Sequence, residues 1–131
     1  MPTEETITLE AALAVRKNAH APYSHFAVGA ALMCESGAVY SGCNVENLSF
    51  GLTMCAERVA VGAAIADGNR DFRLLMIVAD SQEPATPCGA CRQVLAEFNP
   101  ALRIICTNLV GKTAEFGLQE LLPKPSQGIL G

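Results

Sequence analysis

Two short cysteine-bearing segments constrain this chain more than anything else in it: Cys55-Ala56-Glu57-Arg58 and Pro87-Cys88-Gly89-Ala90-Cys91-Arg92. An apolar stretch with helical character follows each. The first helix is expected from about Met54 to Ala66, with Thr53 as its cap and Asp67-Gly68 as its stop. The second runs from Cys88 to Phe98 and ends at Asn99-Pro100. Both segments therefore open helices, where unpaired N–H groups and the positive end of the dipole stabilise anions. A thiol there ionises readily, and the thiolate is the form that binds zinc. Cys88 and Cys91 lie three apart and share one helix face, while Cys55 adds a third sulfur from the other helix. His20 and His25 stand alone, and Cys34, Cys43 and Cys106 fall inside or at the ends of apolar strands, where they read as buried thiols. Three ligands and an open position form the pattern of a catalytic ion, one Zn²⁺ per subunit, whereas structural sites close with four. A lone Cys-x-x-Cys is often redox or structural, and a lone Cys-Ala-Glu says little. The two together, in this order and separated by one inner strand, are far more specific.

Glu57 lies two residues after Cys55, beside the metal without being forced to ligate it. Zinc lowers the pKa of a bound water towards ~7, and a neighbouring carboxylate can take up and pass on the proton. Three thiolates on Zn²⁺ leave a net negative charge, which weakens Lewis acidity. Arg58, three residues from Cys55 on the same face, can donate to the sulfurs and offset it. Arg92 is a weaker candidate for the same role.

The rest of the chain supplies a frame. Ile7 to Ala19 has a helix-like apolar face, capped by Thr8 or Thr6 and ended by Pro22. Phe26–Cys34 and Ala38–Cys43 flank the turn Glu35-Ser36-Gly37 as a hairpin. Asn44–Thr53 is polar and irregular. Phe72–Ala79 is apolar almost throughout, as a strand covered on both faces should be. Leu102–Thr107 is a further strand, Thr113–Phe116 a short one, and Leu118–Leu122 a short helix. Helices interleaved with apolar strands predict a three-layer α/β/α sandwich around a mixed five-stranded sheet, with residues 1–131 as a single domain.

Composition narrows the function. The net charge is −4 and no Lys/Arg cluster occurs, so a nucleic-acid groove is disfavoured and RNA or DNA editing with it. No stretch reaches the ~20 apolar residues that span a bilayer, and the polar, acidic start does not read as a secretory signal. A cytoplasmic location is expected, where six cysteines serve as thiols or metal ligands rather than disulfides. Half the residues are hydrophobic, rich for a small soluble monomer, and this points to burial in an oligomer.

These residues resemble the small homotetrameric cytidine deaminases, members of the wider zinc-deaminase class with its Pro-Cys-x-x-Cys signature. The likeness also runs through Pro22-Tyr23-Ser24-His25-Phe26-Ala27-Val28-Gly29-Ala30-Ala31-Leu32, Gly42-Cys43-Asn44-Val45-Glu46-Asn47 and Glu120-Leu121-Leu122-Pro123. It implies a cytidine deaminase-like fold and the hydrolysis of cytidine or deoxycytidine to uridine or deoxyuridine plus ammonia, a step of pyrimidine salvage. It implies that Phe26 packs on the pyrimidine, that Asn44 and Glu46 bond the ribose 3′-hydroxyl, and that the backbone at Ala56 and the Glu57 carboxylate contact the base. Three positions depart from the family's pattern. Leu48 replaces a small residue, Phe50 replaces Tyr, and Lys124-Pro125-Ser126-Gln127 stands where a Phe is usual. They belong to the part of the family's pocket that neighbouring subunits contribute, which Leu48, Phe50 and Ile129 or Leu130 would rebuild in a more apolar form. Two other readings compete. One is a deaminase of another aminopyrimidine nucleoside such as a blasticidin S-type antibiotic, which Glu46 disfavours. The other is a zinc-stabilised interaction module, which requires four protein ligands and an unimportant Glu57.

Overall fold

The computed structural model describes residues 2–126. Its elements follow the order α1 (Glu4–Arg16), β1 (Val28–Cys34), β2 (Val39–Cys43), α2 (Ala56–Ala66), β3 (Phe72–Ala79), α3 (Gly89–Phe98), β4 (Arg103–Thr107), β5 (Thr113–Gly117) and α4 (Leu118–Leu121). One five-stranded sheet in the order β2-β1-β3-β4-β5 forms the middle layer. All its pairings are antiparallel except β3 with β4, so the sheet is mixed.

The alternation of each inner strand sorts side chains between the two faces. Ala30, Leu32, Leu75, Ile77, Ile104 and Cys106 join Ala56, Ala60, Ala64 and Leu95 in the larger core, under α2 and α3. Ala31, Met33, Leu74, Met76, Val78 and Ile105 face the other way, where Leu9 and Ala12 of α1 cover part of them. The three-layer expectation is met, and the near-continuous apolar run of β3 is explained by cover on both sides.

Two glycines let the layers approach. A Cβ on Gly42 in β2 would sit 2.4 Å from the Ala60 nitrogen and 2.5 Å from the Ala56 oxygen of α2. One on Gly29 in β1 would sit 2.1 Å from the Ala12 oxygen of α1. Backbone therefore packs on backbone beside the start of α2, which carries Glu57.

Some element boundaries differ from the sequence expectation. Helix α1 begins three residues before Ile7, because Thr3 is the N-cap: its hydroxyl accepts the Thr6 N–H at 3.1 Å. Thr6 and Thr8 are inside the helix, and the Thr8 hydroxyl donates back to the Glu4 carbonyl at 2.6 Å. Thr53 does not cap α2; Cys55 occupies that position and makes no side-chain cap bond. The 44–53 segment is less irregular than expected. Val45 and Met54 exchange backbone hydrogen bonds, and Phe50–Leu52 forms one turn of 3₁₀ helix. Cys34 and Cys106 are buried as expected, whereas Cys43 is half-buried.

Gly42→Ala is expected to cost about 2–3 kcal/mol through overpacking against α2. Gly62→Ala, in the same helix with open space around it, is expected to gain up to about 1 kcal/mol. Urea midpoints at unchanged slope measure both.

Candidate metal centre and active-site cleft

Three loops meet at one end of the sheet's strands. There Val28 opens β1, Cys43 closes β2 and Ala79 closes β3, and Val28 pairs directly with Ala79. The 20–27 and 44–54 loops and the 80–87 loop all start or finish here. A cleft of about 220 Å³ lies between them, lined by Phe26, Asn44, Thr53, Ala56, Glu57 and Thr86 among others.

Cys55 and Cys88, the N-caps of α2 and α3, meet at one end of this cleft, with sulfurs 3.7 Å apart. Cys91 completes the group, and all three sulfurs lie within 4.8 Å of one another. Tetrahedral zinc with bonds of about 2.3 Å holds its sulfurs about 3.8 Å apart, so this spacing fits the ion. Among the described residues this is the one cluster of three such donors, and no fourth His, Cys, Asp or Glu joins it.

The charges point the same way. Cys55 is pulled down to about 5, chiefly by its hydrogen bond with Cys91 and also by Arg58. Cys91 is pushed up by that same interaction and by burial. One thiolate is thus easy to form and the next is opposed by it, which is how a pair of anions behaves without a cation between them. The Arg58 Nη2 donates to the Cys55 sulfur at 3.4 Å and to the Thr53 carbonyl at 3.3 Å. Its Nε is buried and has no hydrogen-bond partner among the described residues. The guanidinium is held against the sulfurs although one donor goes unmet, as a counter-charge to thiolates would be.

Arg92 does not approach the sulfurs in this way, contrary to its weaker candidacy. It donates to the Pro87 carbonyl at 2.7 Å, the Leu121 carbonyl at 3.1 Å and the Thr86 hydroxyl at 3.4 Å. It ties the segment entering α3 to α4.

Glu57 is 5% exposed and lines the cleft beside Cys55 and Cys88. Burial, reinforced by the Cys55 thiolate, pushes its carboxyl above the usual range. Such a group is suited to accepting and returning a proton near neutrality. Ala56 is fully buried and its residue borders the same cleft. Phe26, 38% exposed, stands at the mouth.

Asn44 and Glu46 are more committed than free loop residues would be. Asn44 is 8% exposed; its Oδ1 accepts the Val28 N–H at 2.9 Å and its Nδ2 donates to the Phe26 carbonyl at 2.8 Å. Glu46 accepts the N–H groups of Tyr23 at 3.0 Å and Ser24 at 3.1 Å on Oε1, and the Ser24 hydroxyl on Oε2. These donors, Ser24 first, hold its carboxyl below the usual range. One amide N–H of Asn44 and about one of the four acceptor sites of Glu46 remain for a ligand.

Glu46 also lines an adjoining cavity of about 330 Å³ with Tyr23, Ser24, Phe50 and Thr53. Thr53 borders both spaces, a role hidden behind its expected one as a cap. Leu48 and Phe50 are 79% and 72% exposed, and Phe50 stacks edge-on with Tyr23 at 5.8 Å. Ile129, Leu130 and Gln127, also named from the sequence, lie outside the described residues.

A family model for the cytidine and deoxycytidylate deaminase zinc-binding region matches residues 2–107. The chain belongs to this family. It is 46% identical over 121 residues to a cytidine deaminase of Halalkalibacterium halodurans, covering 92% of each chain. A cytidine deaminase of Sporosarcina psychrophila is 50% identical over 109 residues, 82% of this chain and 80% of that one. The crystal structure of a cytidine deaminase from Burkholderia pseudomallei superposes with a TM-score of 0.87 at 47% identity, covering 89% of this chain and 94% of the other. For this family member, the three-sulfur cluster is the place that fits zinc.

Cys91→Ala is expected to weaken zinc binding by more than the ~10–100-fold that loss of an outer hydrogen-bond partner costs. Cys43→Ser, away from the cluster, should leave it unchanged. Competition against a chromophoric chelator reads both.

Proposed function

We propose that this chain hydrolyses cytidine and 2′-deoxycytidine to uridine and 2′-deoxyuridine with release of ammonia. The observation that carries the reading is the grouping of three cysteine sulfurs within 4.8 Å beside the buried Glu57, in a cleft that Phe26 borders. In this scheme Cys55, Cys88 and Cys91 hold one zinc ion, and Arg58 balances the residual negative charge. Zinc, when bound, supplies the Lewis acidity that makes water a nucleophile near pH 7.

Glu57 takes the proton of the water that attacks C4 of the pyrimidine. It delivers that proton to ring N3, then takes the second one from the hydroxyl now on C4 and gives it to the exocyclic amine, so the C4 carbonyl forms as the C4–N bond breaks and ammonia leaves. One water enters, one ammonia departs, and the carboxyl ends as it began. The raised affinity of Glu57 for protons, set first by burial, favours this shuttling. Phe26 offers a ring face to the base, and the backbone at Ala56 a contact to it. Asn44 and Glu46 receive one sugar hydroxyl with the capacity left after their protein bonds. A ligand lacking that hydroxyl leaves both unsatisfied, which is a strong basis for discrimination. An interaction module would call for a fourth protein ligand, and the cluster has three among the described residues.

Glu57→Ala is expected to retain zinc and lose about 10²–10⁴-fold or more in turnover, followed by the loss of cytidine absorbance. A variant that loses zinc together with activity would leave Glu57 without a proton-transfer role, and an inert wild type containing zinc would favour the module.

We further infer that the enzyme acts in the cytoplasm in pyrimidine salvage, as one catalytic domain assembled into a homotetramer. No helix among the described residues is long and apolar enough to cross a membrane. Val45, Leu48, Phe50, Leu52 and Met54 expose apolar surface from one loop, more than scattered surface residues would. In the tetramer Leu48 and Phe50 would wall a neighbour's pocket. Sedimentation velocity is expected to give the mass of four chains, and Leu48→Asp to shift it to smaller species. A wild type that sediments as one chain would refute this assembly.

A further inference from the structure

The loop that brings Phe26 to the cleft holds one conformation that side chains rarely adopt. His25 has φ +58°. Such strain persists only where the surroundings fix it, and it gathers at functional sites. The His25 N–H donates to the Ala21 carbonyl at 3.0 Å, closing the turn from below. Its neighbours are fixed from above by Ser24. The Ser24 hydroxyl donates to Glu46 Oε2 and accepts the Phe26 N–H at 3.0 Å. Glu46 is itself anchored, because its N–H donates to the His20 carbonyl at 2.8 Å.

One oxygen atom therefore joins the residue at the mouth of the metal cleft to the carboxylate in the adjoining cavity. No other side-chain bond links Phe26 to Glu46 among the described residues. Asn44 fixes the Phe26 carbonyl and the Val28 N–H but leaves the Phe26 N–H to Ser24. The position of the ring relative to the carboxylate hence depends on Ser24.

We propose that Ser24 is a positioning residue for substrate selectivity: its hydroxyl couples Glu46 to Phe26 and sets the distance between the group that reads the sugar and the ring that reads the base. This rests on the nucleoside reading above. With the hydroxyl present, Glu46 keeps about one acceptor site in a fixed direction. Without it, the carboxylate gains a second open site and can pivot about Oε1, which keeps the Tyr23 and Ser24 N–H groups, and the Phe26 N–H loses its acceptor.

The test compares cytidine with 3′-deoxycytidine on the zinc-loaded protein. Ser24→Ala is expected to lower kcat/KM for cytidine about tenfold, the worth of one charge-assisted hydrogen bond. The loss should fall in KM, with kcat within about twofold, as for an interaction made equally in ground and transition states. For 3′-deoxycytidine the loss should be under about twofold, so discrimination narrows. Ser24→Thr, which keeps a hydroxyl, should restore most of it. In a Glu46→Gln background the effect of Ser24→Ala should shrink, the signature of coupled residues. Ser24→Gly serves in the same comparison if the alanine variant folds poorly, and melting temperature and zinc content accompany each. Equal losses on both substrates, no loss on either, or an undiminished effect beside Glu46→Gln would overturn the proposal. A wild type indifferent to the 3′-hydroxyl would instead overturn the sugar reading of Glu46, and this inference with it.

Discussion

Two helices begin at one point in this molecule, and neither start is capped by a side chain. Helix starts concentrate unpaired N–H groups and partial positive charge. Placed together they make a site that favours anions, and the residues at the two cap positions are cysteines. The three sulfurs gather in this favourable field but repel one another once ionised, as the opposed shifts of Cys55 and Cys91 express. A divalent cation would resolve that conflict, and the Arg58 guanidinium already lies against the Cys55 sulfur. Much of the surrounding structure keeps the two helix starts in place. Gly42 lets α2 lie directly on β2, and Arg92 clamps the segment leading into α3.

A second consequence follows for Glu57. Being on the first turn of α2, it is carried into the cleft by the same close packing that positions Cys55. Its neighbours Ala56 and Ala60 are fully buried where α2 lies on the sheet, and Glu57 is buried with them at the cleft wall. The proton affinity of the carboxyl and the placement of the sulfurs thus share a cause. A change that lifts α2 from the sheet should disturb both, even when it touches neither.

The parts of this arrangement visible in the sequence are those set by short-range patterns. Cys88 and Cys91 at a spacing of three, Cys55 and Glu57 at a spacing of two, and the apolar run of β3 each announce their geometry without knowledge of the fold. The mixed five-stranded sheet followed from the count and order of such runs. What was not legible depends on partners far along the chain. Thr53 has the preferred side chain for a cap, yet the cap is two residues on, because the sulfurs must converge there. Thr3 outcompetes Thr6 and Thr8 since two acidic residues follow it in the first turn. Arg92 follows a ligand cysteine as directly as Arg58 follows Glu57, but its donors meet the carbonyls of Pro87 and Leu121. No local pattern distinguishes the two arginines. Ser24 is the clearest instance: twenty-two residues separate it from Glu46, and nothing about either residue alone points to the other.

The chemistry and the recognition of this site rest on different supports. The sulfurs and Glu57 sit on helix starts backed by the main core, where a shift of one atom is felt through close packing. Phe26, Asn44, Glu46 and Thr53 belong to two loops that hold each other through side-chain-to-backbone bonds at one end of the sheet's strands. Loops of this kind change more readily than the elements they join. The departures at Leu48 and Phe50 fall on the loop that also carries Glu46, at its exposed flank, and leave the helix starts untouched. On the proposed reading, substrate range would drift by exchanging this apolar rim, while the hydrolytic machinery stays as the packing of α2 and α3 dictates.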